Sequence, residues 1–166
     1  LHHVLDETPG IKAEIKRICV KNKNKSRSLD EALFTYDKDV ILNDPDIDVV
    51  VELIDDANAA YEIVKAALQK GKAVVTANKK MLAEHFEELY KLQMANNVAL
   101  IYEASAGGSI PIIRNLEEYY DNELLSSIKG ILNGTCNYIL TRMELENKNY
   151  DEVLKDAQQN GFAESD

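Results

Sequence analysis

Cysteine is scarce in this sequence: Cys19 and Cys136 stand far apart, with no partnering motif. That excludes a disulfide framework and a cysteine-based zinc site. Cys19, inside the apolar triplet ICV, then reads as a small core hydrophobe. Histidine is equally sparse, and His2, His3 and His85 share no metal-ligand spacing beyond the adjacent pair. Apolar runs fall well short of the ~20 residues that a membrane-spanning helix requires. No signal peptide opens the chain, so a soluble, cytoplasmic protein with no membrane partner is expected. Clustered positive charge is missing as well. Against 29 acidic residues there are 19 basic ones, a net charge of −10, which argues against nucleic acid or an anionic membrane surface as partner. One basic run, Lys21 to Arg27 (KNKNKSR), departs from this balance and reads either as a solvated loop or as an anion site. Finally, no G-x-G-x-x-G occurs, and the double glycine Gly107–Gly108 follows the wrong strand to serve as a dinucleotide-binding first turn.

What is present is an ordinary globular composition. With 166 residues and 45% hydrophobic content the chain can bury one full domain and part of a second. Residues 48–54, DVVVELI, are β-branched and almost continuously apolar, which suits a strand covered on both faces. Asp55 and Asp56 offer N-caps for a helix running to Gly71, whose apolar residues recur at intervals of three and four. Residues 72–76 give a second strand, Met81 to Gln93 trace another helix closed by Asn96 and Asn97, and residues 98–102 (VALIY) give a third strand. Strand, helix, strand, helix, strand is the pattern of a doubly wound parallel α/β sheet with right-handed crossovers. Upstream, residues 15–20 read as a further strand, preceded by a helix tail that stops near Pro9 and Gly10.

Beyond residue 104 the pattern changes. Ser109, Ile110 and Pro111 open a helix, residues 124–132 read as an alternating strand, and Asn133–Gly134 reads as a tight turn before another helix. A short helix over 151–159 stops at Gly161. The expected organisation is a Rossmann-like domain over 1–104 and the beginning of a second, α+β domain over 105–166.

Ligands of open parallel sheets bind outside the carboxyl ends of the strands. Three such ends are polar here: Ile54-Asp55-Asp56, Thr76-Ala77-Asn78-Lys79, and Glu103 followed by Ala104-Ser105-Ala106-Gly107-Gly108. Lys79 is either a snorkelling surface charge or the partner of a bound anion or carbonyl, since a cation in the first turn of a helix opposes the helix dipole. Glu103 follows an apolar strand and needs a partner, either a lysine or a cation. Thr135 is a plausible N-cap between Asn133 and Asn137. Gly161, Glu164 and Asp166 read on their own as a frayed acidic end.

Taken together and in order, VVVELIDD, VVTANKKML, YEASAGGSIPIIRNL, GILNGTCNYIL and AQQNGFAESD closely resemble the homoserine dehydrogenase family, over essentially the entire chain. The resemblance implies hydride transfer between L-homoserine and L-aspartate 4-semialdehyde with NADP or NAD, a step of threonine, methionine and isoleucine synthesis. It implies that Lys79, with Thr76 and Asn78, lies beside the nicotinamide end of the cofactor, and that Gly161 belongs to the cofactor-binding set. Glu164, in the G-[FY]-x-E turn, would hold the amino group of the substrate, with Asn133 and Thr135 of the N-G-T motif nearby. Glu103 and the carbonyls of Ala106, Gly108 and Ile110 would form the family's structural monovalent cation site, for sodium, and the full-length protein would be a homodimer.

The resemblance also sets two departures. The glycine-rich first strand and turn are absent, and the aspartate and lysine that the family uses at the reacting hydroxyl are expected beyond Asp166. No catalytic residue is therefore expected within the chain, which as written is expected to be inactive. The basic run after ICVK, with no acidic residue for a ribose 2′-hydroxyl, favours NADP over NAD, received by Lys21, Lys23 or Arg27. Two rival readings are another two-domain NAD(P)-dependent dehydrogenase, which should lack N-G-T and G-F-A-E, and a non-catalytic α/β regulatory module, which should bind no nucleotide.

Overall fold

Helix caps and strand periodicities are local signals, and most of the first hundred residues follow them. A computed structural model describes residue 10 and residues 13–108 and 110–163. The helix tail expected before Pro9 lies outside the described residues. The chain divides into two compact units, Leu1–Tyr102 and Glu103–Asp166.

In the first unit β1 (Ile18–Cys19) pairs in parallel with β2 (Phe34–Thr35), and β3 (Val49–Glu52), β4 (Ala73–Thr76) and β5 (Leu100–Ile101) form a second parallel sheet in that order. Helices α2 (Ala57–Gln69) and α3 (Lys79–Asn96) make the two crossovers. The Asp56 carboxylate accepts from Ala59 N at 2.9 Å to start α2, and Gly71, at φ +74°, takes the left-handed conformation beyond its end. Asn97, also left-handed at φ 52°, closes α3. Val50, Val74 and Leu100 point to one side of the sheet and are buried with Ala60, Val64, Leu68, Met81 and Leu89 of the two helices. This is a Rossmann-like α/β arrangement.

The structure corrects several expectations in this unit. The strand at 48–54 is not covered on both faces among the described residues. Burial alternates along β3, leaving Val49 50% and Val51 59% exposed, because α2 and α3 share one core with the opposite faces of those same residues' neighbours, Val50 and Val74. Cys19 is exposed rather than a core hydrophobe, because β1 has two residues and, among the described residues, its sheet is a single strand pair. Sequence reading missed β2, the 3₁₀ turn Glu31–Leu33 and α1 (Lys38–Leu42), all too short for periodicity to register. Their signal was in the caps: Asp30 accepts from Ala32 N and Asp37 from Asp39 N, both at 2.9 Å. Lys72, expected at the start of a strand, is buried just before β4 and donates its ammonium to the carbonyl oxygens of Asp44 (2.6 Å) and Ile47 (2.7 Å).

The second unit contains a 3₁₀ turn (Glu103–Ser105), α4 (Ile112–Tyr119), α5 (Gly134–Glu146) and α6 (Tyr150–Gln159). Ile139 of α5 is buried against Val153 and Ala157 of α6, with Tyr138, Met143 and Leu154 around them. At the helix pair's polar edge Arg142 makes two 2.6 Å bonds to Glu146 and a third to the Tyr138 hydroxyl, while Lys148 reaches Glu146 at 2.8 Å. The alternating strand expected over 124–132 is absent. Leu124 is 90% and Ile131 75% exposed, and an isolated strand has no ladder to satisfy its backbone. Asn133–Gly134 is likewise no hairpin turn, since Asn133 caps α5 and Gly134 is its first residue. Among the described residues no helix is long and apolar enough to cross a membrane.

Candidate functional site

The carboxyl ends of β3 and β4 are joined by side chains rather than left as loose loops. Glu52, the last residue of β3, is buried at 2% exposure and meets Thr76, the last residue of β4, directly across the sheet. The Thr76 hydroxyl donates to Glu52 Oε2 at 2.5 Å, and Ile54 N donates to Oε1. Thr76 Oγ1 in turn accepts from Asn78 N at 3.1 Å. Asn78 then uses both ends of its amide: Nδ2 donates to Ile54 O at 2.9 Å, and Oδ1 accepts from Met81 N at 2.9 Å to cap α3. Thr76 and Asn78 thus tie two strand ends to the first turn of a helix. Among the side chains in this network, Glu52 was not singled out by sequence reading, although a lone carboxylate within VVVELI was a legible oddity.

Lys79 and Lys80 occupy that first turn, both exposed, with no acidic residue beside them in the turn. Two cations therefore sit where the helix dipole is positive, and α3 is held there by packing of Met81, Leu82 and Leu89 and by the Asn78 cap. A hollow of about 430 Å³ lies farther along α3, lined by residues from Ala83 to Lys91 and by none of the strand-end groups. There Tyr61 stacks on His85 at 3.9 Å and bonds Glu88, which also pairs with Lys65 at 2.8 Å.

In the second unit the Glu103 carboxylate accepts from Ile113 N (3.1 Å) and Arg114 N (2.8 Å), capping α4 from ten residues upstream. Pro111 at the N-cap position offers no side-chain bond, so Glu103 replaces the missing cap. The expected cation ligands Ala106, Gly108 and Ile110 lie in the loop between. Gly107 and Gly108 are at φ +70° and +62°, a conformation that suits glycine and turns successive carbonyls. The Glu103 carbonyl accepts from Ala106 N and that of Ile110 from Ile112 N, each leaving a second lone pair. Among the described residues no group of three His, Cys, Asp or Glu side chains is placed to hold a metal, and a carbonyl-lined site needs none.

Asn133, rather than Thr135, is the N-cap of α5. Asn133 Oδ1 accepts from Cys136 N at 2.8 Å and is the cap, so Thr135 is free to donate to Phe162 O, next to Gly161. Gly161, at φ +73°, makes the turn after α6, and the Tyr138 and Phe162 rings meet at 5.0 Å. The N-G-T and G-F-A segments, 27 residues apart, are therefore in contact. Glu164 lies outside the described residues. In the basic loop Arg27 donates to the carbonyls of Asn22 and Lys25, closing the loop on itself, while Lys21 and Lys23 stay exposed.

Parallel strands linked by helical crossovers, with polar side chains gathered at their carboxyl ends, define a Rossmann-like α/β protein followed by a distinct second unit. Residues 1–103 match the family model described as homoserine dehydrogenase, NAD binding domain, and residues 111–166 match that of homoserine dehydrogenase. The chain belongs to the homoserine dehydrogenase family, whose members are NAD(P)-dependent oxidoreductases. It is 43% identical to the homoserine dehydrogenase of Bacillus subtilis and 41% identical to that of Synechocystis, over 95% and 96% of this chain. It spans 37% of the length of each of those relatives. The crystal structure of a homoserine dehydrogenase from Thiobacillus denitrificans superposes with a TM-score of 0.76 at 40% identity, covering 91% of this chain and 35% of that one. A hyperthermophilic archaeal homoserine dehydrogenase in complex with NADPH superposes at 0.64 with 29% identity, covering 81% and 41%.

Proposed function

We propose that this chain supplies the nicotinamide-side wall and part of the amino-acid site of an enzyme that moves a hydride between L-homoserine and L-aspartate 4-semialdehyde, using NADP or NAD. The first unit acts in cofactor binding and the second begins a substrate and dimerisation domain. The observation that carries the reading is the Glu52–Thr76–Asn78 network, which makes a rigid floor at the carboxyl ends of β3 and β4 and sets the unopposed Lys79 at its edge. A cation held against the local dipole is balanced by an anion or carbonyl oxygen bound at these strand ends. Thr76, Asn78 and Lys79 form that wall, and Gly161, at the turn after α6, is assigned to the cofactor-binding set with them.

Asn133, Thr135 and Glu164 serve the substrate. The Thr135 bond to Phe162 supports this assignment, because it holds the turn leading to Glu164 against the start of α5. Glu103 and the carbonyls of Ala106, Gly108 and Ile110 suit a monovalent cation such as sodium. Both Glu103 oxygens already serve amide N–H groups, so the carbonyls would ligate and the carboxylate would supply charge. The bound nicotinamide supplies the hydride chemistry; these residues bind, orient and exclude water. The exposed apolar stretch from Leu124 to Leu132 suits pairing with further strands of a homodimer. Lys21 and Lys23, rather than the self-engaged Arg27, would receive a 2′-phosphate, which favours NADP.

The test is an L-homoserine oxidation assay on the protein at the full length of its relatives, with NADP and NAD in parallel, alongside NADPH titration. Reduction of the cofactor dependent on L-homoserine is expected, with tighter binding of NADPH than of NADH. Absence of nucleotide binding would overturn the reading.

A further inference from the structure

Glu52 is the one buried carboxylate among the described residues, it ends β3, and nothing in the reading above uses its charge. Its two oxygens act as acceptors from neutral groups: the Thr76 hydroxyl on one and Ile54 N–H on the other. The Thr76 oxygen is itself occupied by Asn78 N–H, so the hydroxyl hydrogen is directed at Glu52. This is the pattern of an ionised carboxylate held by hydrogen-bond donors. Among the described residues no lysine, arginine or histidine is bonded to it. Burial of a charge without an opposite partner is costly. Such a charge acts over several ångströms because little water screens it, whereas the exposed Lys79 ammonium is solvated.

We propose that Glu52 biases the cofactor site toward the oxidised, cationic nicotinamide over the neutral dihydronicotinamide. The inference rests on the assignment of Thr76 and Asn78 to the nicotinamide wall. Glu52 then lies one hydrogen bond behind that wall. A fixed negative charge there tightens binding of the oxidised cofactor, which carries a positive ring, and leaves the reduced one nearly unaffected. Thr76 and Ile54 keep the carboxylate from turning away, so the bias is built into the strand ends.

The experiment compares dissociation constants for NADP and NADPH in the full-length protein and in Glu52→Gln, which keeps the shape and removes the charge. The ratio of the constant for NADP to that for NADPH is expected to rise on the order of tenfold in the variant, almost entirely through weaker NADP binding. An equal weakening of both, or no change, would overturn the proposal, since a merely structural role moves the two together. If wild type binds neither nucleotide, the cofactor assignment itself fails, which is a separate outcome. Should Glu52→Gln not fold, Glu52→Met, which removes the charge at similar size and leaves Thr76 and Asn78 in place, is read in the same way.

Discussion

The Thr135 hydroxyl donates to the carbonyl oxygen of Phe162, joining the first turn of α5 to the turn that follows α6. Asn133 makes this possible by taking over the helix cap. Replacing Thr135 with Val is expected to cost about 1 kcal/mol of stability, read as a lower urea midpoint with an unchanged slope, while Thr135→Ser retains most of it. On the proposed assignment of Glu164 to the substrate, the same change in the full-length protein should raise KM for L-homoserine more than it lowers kcat, because it loosens the turn leading to Glu164.

Asn78 carries two separable duties, capping α3 and holding the end of β3 through Ile54 O. Asn78→Ala should lose both, at about 1–2 kcal/mol. Asn78→Asp keeps the cap and loses only the donor, so its melting temperature is expected to fall between those of Asn78→Ala and wild type.

Lys72 threads its ammonium between two carbonyls of the segment linking α1 to β3. Lys72→Met keeps the aliphatic stem but abandons both acceptors, with an expected loss of about 2 kcal/mol in chemical denaturation. A comparable substitution at the exposed Lys91 should change stability by less than about 0.5 kcal/mol.

Glu146 is held down to about 2 from its ordinary 4.5 by the hydrogen bonds from Arg142 and then Lys148. Because the folded value lies below the unfolded one, its contribution is complete above about 4.5 and disappears as pH falls toward about 2. The pair is partly exposed, so the effect should be small and salt-sensitive. Unfolding of the α5–α6 pair, followed by the tyrosine signal of Tyr138, should show an acid-side loss that Glu146→Gln removes.

Glu103→Ala should release Ile113 and Arg114 N–H at the start of α4, where Pro111 offers no substitute. A loss of about 1–2 kcal/mol is expected, with fraying of α4 seen by hydrogen exchange.

The helices over 57–69 and 79–96 were legible because their signals are local: Asp56 and Asn78 before them, left-handed Gly71 and Asn97 after them, and apolar residues three and four apart within them. The run from Val49 to Glu52 was legible as a strand for the same reason, and five motifs in fixed order were enough to point to the family. Local pattern could not say which face of β3 would be covered, that residues 124–132 would stay unpaired, or that Glu52 would end up against Thr76, 24 residues away. Those outcomes depend on which partners arrive across the chain. A cap is satisfied within one turn of backbone, whereas a strand edge, a buried carboxylate or the hydroxyl of Thr135 takes its meaning only from what tertiary packing brings beside it.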